Sequence, residues 1–423
     1  MPYGDQPPPL QENNTKGTRY CCGMTRRVFW ICILVAVLAL AGIIAGGVAG
    51  GLKSAHHSIA KTNTTQRPLY GSNLAAVNWT DESNAERRAV FYQLDGALFV
   101  SQAQGQNTTW THLNISAQFF QYQGELALNP RNGTPLAVAA TPWQAGKTAP
   151  WDGVTTFTVV LYYFNEANQV RQIWTTVGDL SKWQQGGNFS ELATTSSPSA
   201  KSQLAATAYY CGHGCLNIFC ILFQGADSSV RCSCGAGTGN PTIVNPTAFP
   251  SSPLMLVPLA ADNGNNITYD SELLSVFLDN SNVGVLVYNH GDDSAWDTNP
   301  NTSIMSPLAQ VNGTLPQIAA SSSDALGNVL TVAMTADGNF TASFWRGSAG
   351  AWTESQILSF SNQNGTSFSS KPEVDIPVIA MNNNHGLYGI TVDGESIVEY
   401  VWASNNPSSF TWKSSVNITS VSR

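Results

Sequence analysis

The sequence predicts an all-β protein, a six-bladed β-propeller of four-stranded antiparallel blades, preceded by one transmembrane α-helix. Three observations carry this prediction. One uncharged apolar stretch lies near the start, a long body of short alternating strands follows, and that body repeats the same strand pattern six times. Composition agrees. Only 11% of the 423 residues are charged, and 36 Gly and 21 Pro punctuate the chain, which excludes a coiled coil or a disordered chain. The net charge is -8 and the 19 Lys and Arg are dispersed, so there is no basic stripe and nucleic acid is not an expected partner.

Residues 1–27 read as a cytoplasmic N-terminal segment. They hold Lys16, Arg19, Arg26 and Arg27 against Asp5 and Glu12, a net +2. Residues 28–52 contain no charge and exceed the roughly 20 residues that cross a hydrocarbon layer. A stretch this long behind a polar leader reads as an uncleaved signal anchor. The basic flank orients the N-terminus inward and the rest of the chain to the extracellular or lumenal side. Gly42 and Gly46, with the overlapping Gly46/Gly50 and Gly47/Gly51 pairs, suit close helix approach and a helix-mediated homodimer, although glycine is common in spanning helices anyway. Cys21 and Cys22, on the inner side, are either S-acylated or reduced thiols.

Residues 53–70 form a stalk, and residues 71–423 the propeller. Twelve N-x-Ser/Thr sequons follow the apolar stretch and only Asn13 precedes it, which supports the same orientation.

The six units open on Leu74-Ala-Ala-Val, Leu136-Ala-Val-Ala, Leu204-Ala-Ala-Thr, Leu259-Ala-Ala-Asp, Ile318-Ala-Ala-Ser and Ile379-Ala-Met-Asn. A second apolar strand follows in each, then a polar turn. Asp95-Gly96, Asp337-Gly338 and Asp393-Gly394 supply the tight-hairpin chemistry. The third strand leads to a Trp in five units, at Trp110, Trp183, Trp296, Trp352 and Trp412. Close to 60 residues per unit accommodates four strands. Radial closure protects their edges without helices, whereas a linear array of sandwiches would need linkers, and none is visible.

Ser72-Asn-Leu-Ala-Ala-Val-Asn-Trp79 with Val90-Phe-Tyr-Gln-Leu-Asp-Gly96, and Gly394-Glu-Ser-Ile-Val-Glu-Tyr-Val-Trp402, resemble the repeats of the fungal fucose-specific lectins. The resemblance covers the whole propeller region. It implies six blades and fucose sites between adjacent blades, each with an Arg opening the second strand, a Glu on the third and aromatic rings against the apolar sugar face. A charged donor and acceptor suit vicinal hydroxyls, and an indole suits a C–H face. Carried over unit by unit, the Arg position falls on Ala89, Val160, Cys220, Ser275, Thr331 and Leu387, and the Glu position on Val100, Gln172, Cys232, Val285, Ala342 and Glu399. Arg88 is one residue away, a slip that turns a side chain to the opposite face of the strand.

The candidate ligand-binding residues are therefore Glu399 as acceptor and Trp402 as platform, with Trp345 at the matching place in the fifth unit, Trp174 one residue short of it in the second, and Gln172 in the second unit's Glu position. Each lost charge-assisted hydrogen bond costs about 1.5–3 kcal/mol, so high-affinity fucose binding by the usual mechanism is expected to be absent. The bland alternative is a solvated Glu399 and tryptophans that pack between blades.

Cys211, Cys215, Cys220, Cys232 and Cys234 all fall in the third unit. Outside the cytosol they are disulfide candidates, and the odd number leaves one thiol over. Cys220 and Cys232, in the Arg and Glu positions, are the expected cross-strand pair; a metal site on Cys211, His213, Cys215, Cys232 and Cys234 is the competing idea. No catalytic constellation is legible: there is no His-Glu-x-x-His, no Gly-x-Ser-x-Gly and no distinguishable carboxylate pair. Neither an enzyme nor a cofactor is expected. Two functions remain: a membrane-anchored, lectin-like propeller binding fucose-type glycans with altered or weakened specificity, or a propeller with degenerate sugar sites that serves adhesion or protein docking.

Overall fold

The computed structural model describes residues 74–80, 85–105, 107–123, 127–140, 158–176, 180–186, 198–209, 218–234, 241–260, 271–279, 282–288, 296–298, 316–322, 328–335, 337–346, 351–352, 355–403 and 409–419. The segments expected as cytoplasmic (1–27), membrane-spanning (28–52) and stalk (53–70) lie outside them. Among the described residues no helix is long and apolar enough to cross a membrane.

The chain folds as a propeller of antiparallel blades, with six sheets among the described residues. Blade 1 comprises β1 (Ala75–Thr80), β2 (Glu86–Leu94), β3 (Ala97–Gln104) and β4 (Thr111–Asn114), and blade 2 comprises β5 (Leu136–Ala140), β6 (Thr158–Phe164), β7 (Val170–Thr176) and β8 (Gln184–Gln185). Blade 3 holds β9 (Leu204–Tyr209), β10 (Ile218–Gln224), β11 (Val230–Cys234) and β12 (Thr242–Asn245). Blade 4 holds β13 (Leu254–Ala260), β14 (Ser271–Asp279), β15 (Asn282–Tyr288) and β16 (Trp296–Thr298), and is described mainly through its backbone. Blade 5 runs through β17 (Gln317–Ser322), β18 (Asn328–Met334), β19 (Phe340–Arg346), β20 (Ala351–Trp352) and β21 (Gln356–Ile357). Blade 6 contains β22 (Ser359–Ser361), β23 (Ser367–Ser369), β24 (Val378–Met381), β25 (Gly386–Ile390), β26 (Ser396–Trp402) and β27 (Ser409–Asn417).

The first four blades have the expected four strands; the last two exceed it. In blade 5, β21 adds a third partner to β19, beside β18 and β20, and in blade 6 the β22–β23 hairpin joins the outer strand β27 in parallel. The hairpin caps an edge that would otherwise present unpaired backbone groups. A second difference lies in unit four, whose inner strand runs from Leu254, so Leu259 and Ala260 end that strand instead of opening it. The earlier start buries Leu254 and Leu256 against blade 3. A short helix, α1 (Ile115–Gln123), was not legible from periodicity. Asn114 Oδ1 accepts the Ala117 N–H at 2.9 Å as its N-cap, and Ile115 and Phe119 bury its inner face.

The inner strands close a ring. β5 lies between β1 and β9, β13 between β9 and β17, and β24 between β17 and β1. The turn at Asp95-Gly96 has the foreseen tight geometry: both residues have positive φ, and Leu94 pairs directly with Ala97. The core is divided among the seams. Blade 1 meets blade 2 through Ala89, Phe91 and Val100 against Val159, Leu161 and Trp183, and blade 2 meets blade 3 through Val160 and Phe164 against Ile221 and Phe223. Full burial of such side chains contributes about 1.5–3 kcal/mol each, so the blade seams hold the ring together.

Candidate functional site

Alternation along the second and third strands sends successive side chains to opposite seams. In blade 1, Ala89 and Phe91 face blade 2, while Val90 and Tyr92 pack against Tyr388, Ile390 and Ile397 of blade 6. Arg88 therefore faces blade 6. Arg88 lies on the opposite face from Ala89, as expected for adjacent strand residues, and that face is the seam that receives Glu399.

Arg88 and Glu399 form a buried ion pair, with side chains 1% and 2% exposed. Arg88 Nη2 also donates to the Asn107 carbonyl at 2.7 Å, and its guanidinium lies 5.4 Å from the centre of the Trp110 ring. Glu399 is saturated from its own blade. Tyr388 Oη donates to Oε1 at 3.0 Å and Ser414 Oγ to Oε2 at 2.7 Å, while Lys413 Nζ lies 3.7 Å from Oε1. Trp110 Nε1 donates to Ser414 Oγ, and Asn382 Nδ2 to Tyr388 Oη, which extends the network across the seam. Burial and the adjacent carboxylate hold the Tyr388 hydroxyl well above its usual range, so it stays a donor. A register shift in the β26–β27 pairing falls between Glu399 and Tyr400. Glu399 is thus neither solvated nor open to a sugar in this arrangement.

Trp402 does not share that seam. Three residues beyond Glu399, it faces blade 5, where it packs 5.6 Å from Phe344 and edge-on to His385 at 4.8 Å. His385 is buried and hydrogen-bonded through Nδ1 to Ser321 Oγ, and burial lowers its pKa to about 4. The expected pairing of Glu399 acceptor with Trp402 platform is therefore corrected: an odd spacing along β26 divides them between two seams. Trp345 pairs in register with Trp352 in blade 5; its side chain lies outside the described residues.

Gln172 and Trp174 are brought together. They alternate on one face of β7, both half-buried, and Trp174 packs on the cluster formed by Val160, Phe164, Ile221 and Phe223 at the seam of blades 2 and 3. Opposite Gln172 on β6 stands Tyr162, fully buried. The Gln172 side chain lies over Gly186, where a methyl group would come within 2.8 Å of its Cγ and Cδ. Gly186 N–H donates to the Gln172 carbonyl at 2.9 Å, which fixes this close approach. An amide and an indole thus share one half-buried strand face at this seam.

In blade 3 the disulfide joins Cys220 to Cys234, correcting the expected Cys220–Cys232 pair. The antiparallel register sets Cys220 opposite Cys234 and Leu222 opposite Cys232. Cys232 is a free, buried thiol, its Sγ 3.8 Å from Cys234 Sγ, and burial raises its pKa to about 12. The three sulfurs cluster within 4.8 Å of one another, but with two of them bonded together the set offers one thiol, a poor fit to a metal site. Cys211, His213 and Cys215 lie outside the described residues.

Arg88, Tyr388, Ser414 and His385 had no place in the sequence-derived site. The available signal was Arg88 itself, a cation inside a strand whose following residues are apolar.

No protein-family model matches the chain, and no curated protein does either. Solved structures do. The chain is similar to the Aleuria aurantia lectin, described as a six-bladed β-propeller with a novel fucose recognition mode, at 17% identity and a TM-score of 0.57 over 83% of this chain and 97% of that one. It is similar to AofleA from Arthrobotrys oligospora at 14% identity and a TM-score of 0.54, covering 85% and 89%. The SapL1 lectin, solved with α-methyl fucoside, matches at 17% identity and a TM-score of 0.53 over 84% and 99%. At these identities the likeness is one of fold.

Proposed function

We propose that the protein is a single-pass, surface-displayed, lectin-like propeller that binds neutral, fucose-type glycans weakly and with altered specificity, at the seam of blades 2 and 3. The observation that carries this reading is the pairing of Gln172 and Trp174 on one half-open face. Gln172 supplies an amide that both donates and accepts to hydroxyls, and Trp174 an apolar platform. A neutral amide replaces the charged acceptor expected from the lectin resemblance, so affinity falls. The one Arg–Glu pair at the seams among the described residues is occupied with itself, between blades 6 and 1. No catalytic step belongs to this reading. Membrane placement draws on the uncharged stretch 28–52 and on sequon asparagines that are exposed on the propeller, at Asn107, Asn132, Asn364 and Asn417.

The test is a glycan array on the full-length chain in detergent, followed by titration of Gln172→Ala and Trp174→Ala with the best ligand. Binding that falls at least tenfold in both variants supports the reading. An empty array, or binding indifferent to both substitutions, overturns it. The second reading, a docking propeller without sugar sites, is favoured by the sealed Arg88–Glu399 pair and by Ile357, 65% exposed on β21.

A further inference from the structure

Blades 1 and 2 share a groove of about 470 Å³ at the end that carries their β2–β3 and β6–β7 turns. Asp95, Phe120, Leu128, Arg131, Asn132 and Glu166 line it. Two features stand out. The helix that buries Ile115 and Phe119 turns Phe120 outward, leaving a large aromatic ring 52% exposed at the groove. Asn132, also exposed, begins the sequon Asn132-Gly133-Thr134.

The lining constrains the occupant. Arg131 is half-buried and anchored in place: its Nη1 donates to Asn168 Oδ1 at 2.5 Å and to the Ala200 carbonyl at 2.8 Å, and its guanidinium lies 5.1 Å from the centre of the Phe164 ring. The groove thus combines the exposed carboxylates of Asp95 and Glu166 with the anchored Arg131 guanidinium, a polar lining that carries both signs. A purely apolar ligand would take these charged groups out of water and offer them no hydrogen bond. A neutral ring with hydroxyls on its edge and a C–H face suits the set, since carboxylates accept from hydroxyls and the face of Phe120 takes C–H groups.

We infer that this groove seats the first sugar of an N-linked glycan carried by Asn132 of the same chain. The inference rests on the extracellular or lumenal placement proposed above. In the transfer, the Asn132 amide nitrogen loses one proton and bonds C1 of the N-acetylglucosamine of a lipid-pyrophosphate-linked oligosaccharide; the bond from C1 to the pyrophosphate oxygen breaks and the lipid pyrophosphate leaves. Timing follows from Thr134. It is buried, its Oγ1 donating to the Pro135 carbonyl at 3.2 Å and accepting the Phe164 N–H at 2.7 Å. The sequon hydroxyl is thus accessible only before β6 docks, so the glycan is attached during synthesis and the sugar then settles on Phe120 as blade 2 closes.

The experiment uses the full-length chain from a eukaryotic secretory host. Glycopeptide mass spectrometry reads occupancy, and thermal unfolding compares wild type, Phe120→Ala, Asn132→Gln and the double variant. We expect Asn132 to be occupied and Phe120→Ala to lower the midpoint by about 2 °C when the glycan is present, with no shift in the Asn132→Gln background. Equal shifts in both backgrounds overturn the inference. So does a bare Asn132 beside occupied Asn364 and Asn417, which leaves the proposed placement standing; if all three are bare, the placement falls as well. Stabilisation of the Asn132→Gln chain by added N-acetylglucosamine, lost in Phe120→Ala, with no glycan effect in wild type, reassigns the groove to a free sugar.

Discussion

Arg88 of blade 1 and Glu399 of blade 6, 311 residues apart in the chain, meet as a buried ion pair at the seam where the last blade closes on the first. The residue types resemble those of a sugar site, but here each charge satisfies the other. Their placement makes them a closure device for the ring.

Breaking one side of this pair leaves an uncompensated buried charge. Arg88→Met or Glu399→Leu alone should destabilise the propeller by about 3–5 kcal/mol, whereas the double variant recovers much of the loss because no charge is left buried. Guanidinium denaturation followed by tryptophan fluorescence measures this. Additive losses in the double variant would show that the two residues act separately.

The cysteines of blade 3 give a chemical prediction. Peptide mapping without reduction should recover Cys220 linked to Cys234, with Cys232 unalkylated in the native protein and reactive once unfolded, since burial holds its thiol near a pKa of about 12. Replacing Cys220 and Cys234 together by Ala should cost about 3 kcal/mol for a loop of this length. A native link from Cys220 to Cys232 would refute the register.

Acid should loosen the seam of blades 5 and 6. His385 has a folded pKa of about 4 against about 6.5 when unfolded. Above pH 6.5 the group is neutral in both states. Between about 6.5 and 4 the unfolded chain binds a proton that the folded chain does not, so stability falls with falling pH, by up to about 3 kcal/mol. His112, hydrogen-bonded to Ser101 Oγ at 2.8 Å, is shifted in the same direction by burial and adds to the same window. Denaturation midpoints at pH 7 and pH 4.5 should differ less in His385→Gln than in wild type. An unchanged pH response in that variant would remove His385 from the account.

The repeat was legible because its signals are local: alternation, Asp-Gly turns and a Trp near the fourth strand. The site was less legible because it depends on which seam a side chain enters. Glu399 and Trp402 look like one site in the sequence, yet their odd spacing on a strand sends them to different seams. Arg88 falls one residue off the family's Arg position and faces away from Ala89, and facing away is what brings it to Glu399. The disulfide failed for a related reason, since matching Cys220 and Cys232 to family positions ignored the β10–β11 register that sets Cys220 opposite Cys234. The Leu-Ala-Ala pattern at Leu259 marks the end of β13 and not its start at Leu254; Pro258 is accommodated within β13 because this inner strand has one ladder edge free.

The half-buried face at the seam of blades 2 and 3 yields a prediction that separates positioning from folding. Gly186 carries no side chain where Gln172 folds over it, and a methyl group there meets Gln172 Cγ and Cδ at 2.8 Å. The obstructed atoms belong to a flexible, half-buried side chain, so Gly186→Ala displaces the amide while the blade keeps its fold. Thermal stability should shift by little, within about 0.5 kcal/mol, while affinity for the best array glycan falls several-fold, approaching that of Gln172→Ala. Trp174→Ala should lose more, because it removes the apolar platform together with part of the packing between the blades. If Gly186→Ala binds as wild type while Trp174→Ala does not, Gln172 contributes no hydrogen bond to the sugar and the seam acts through its indole alone.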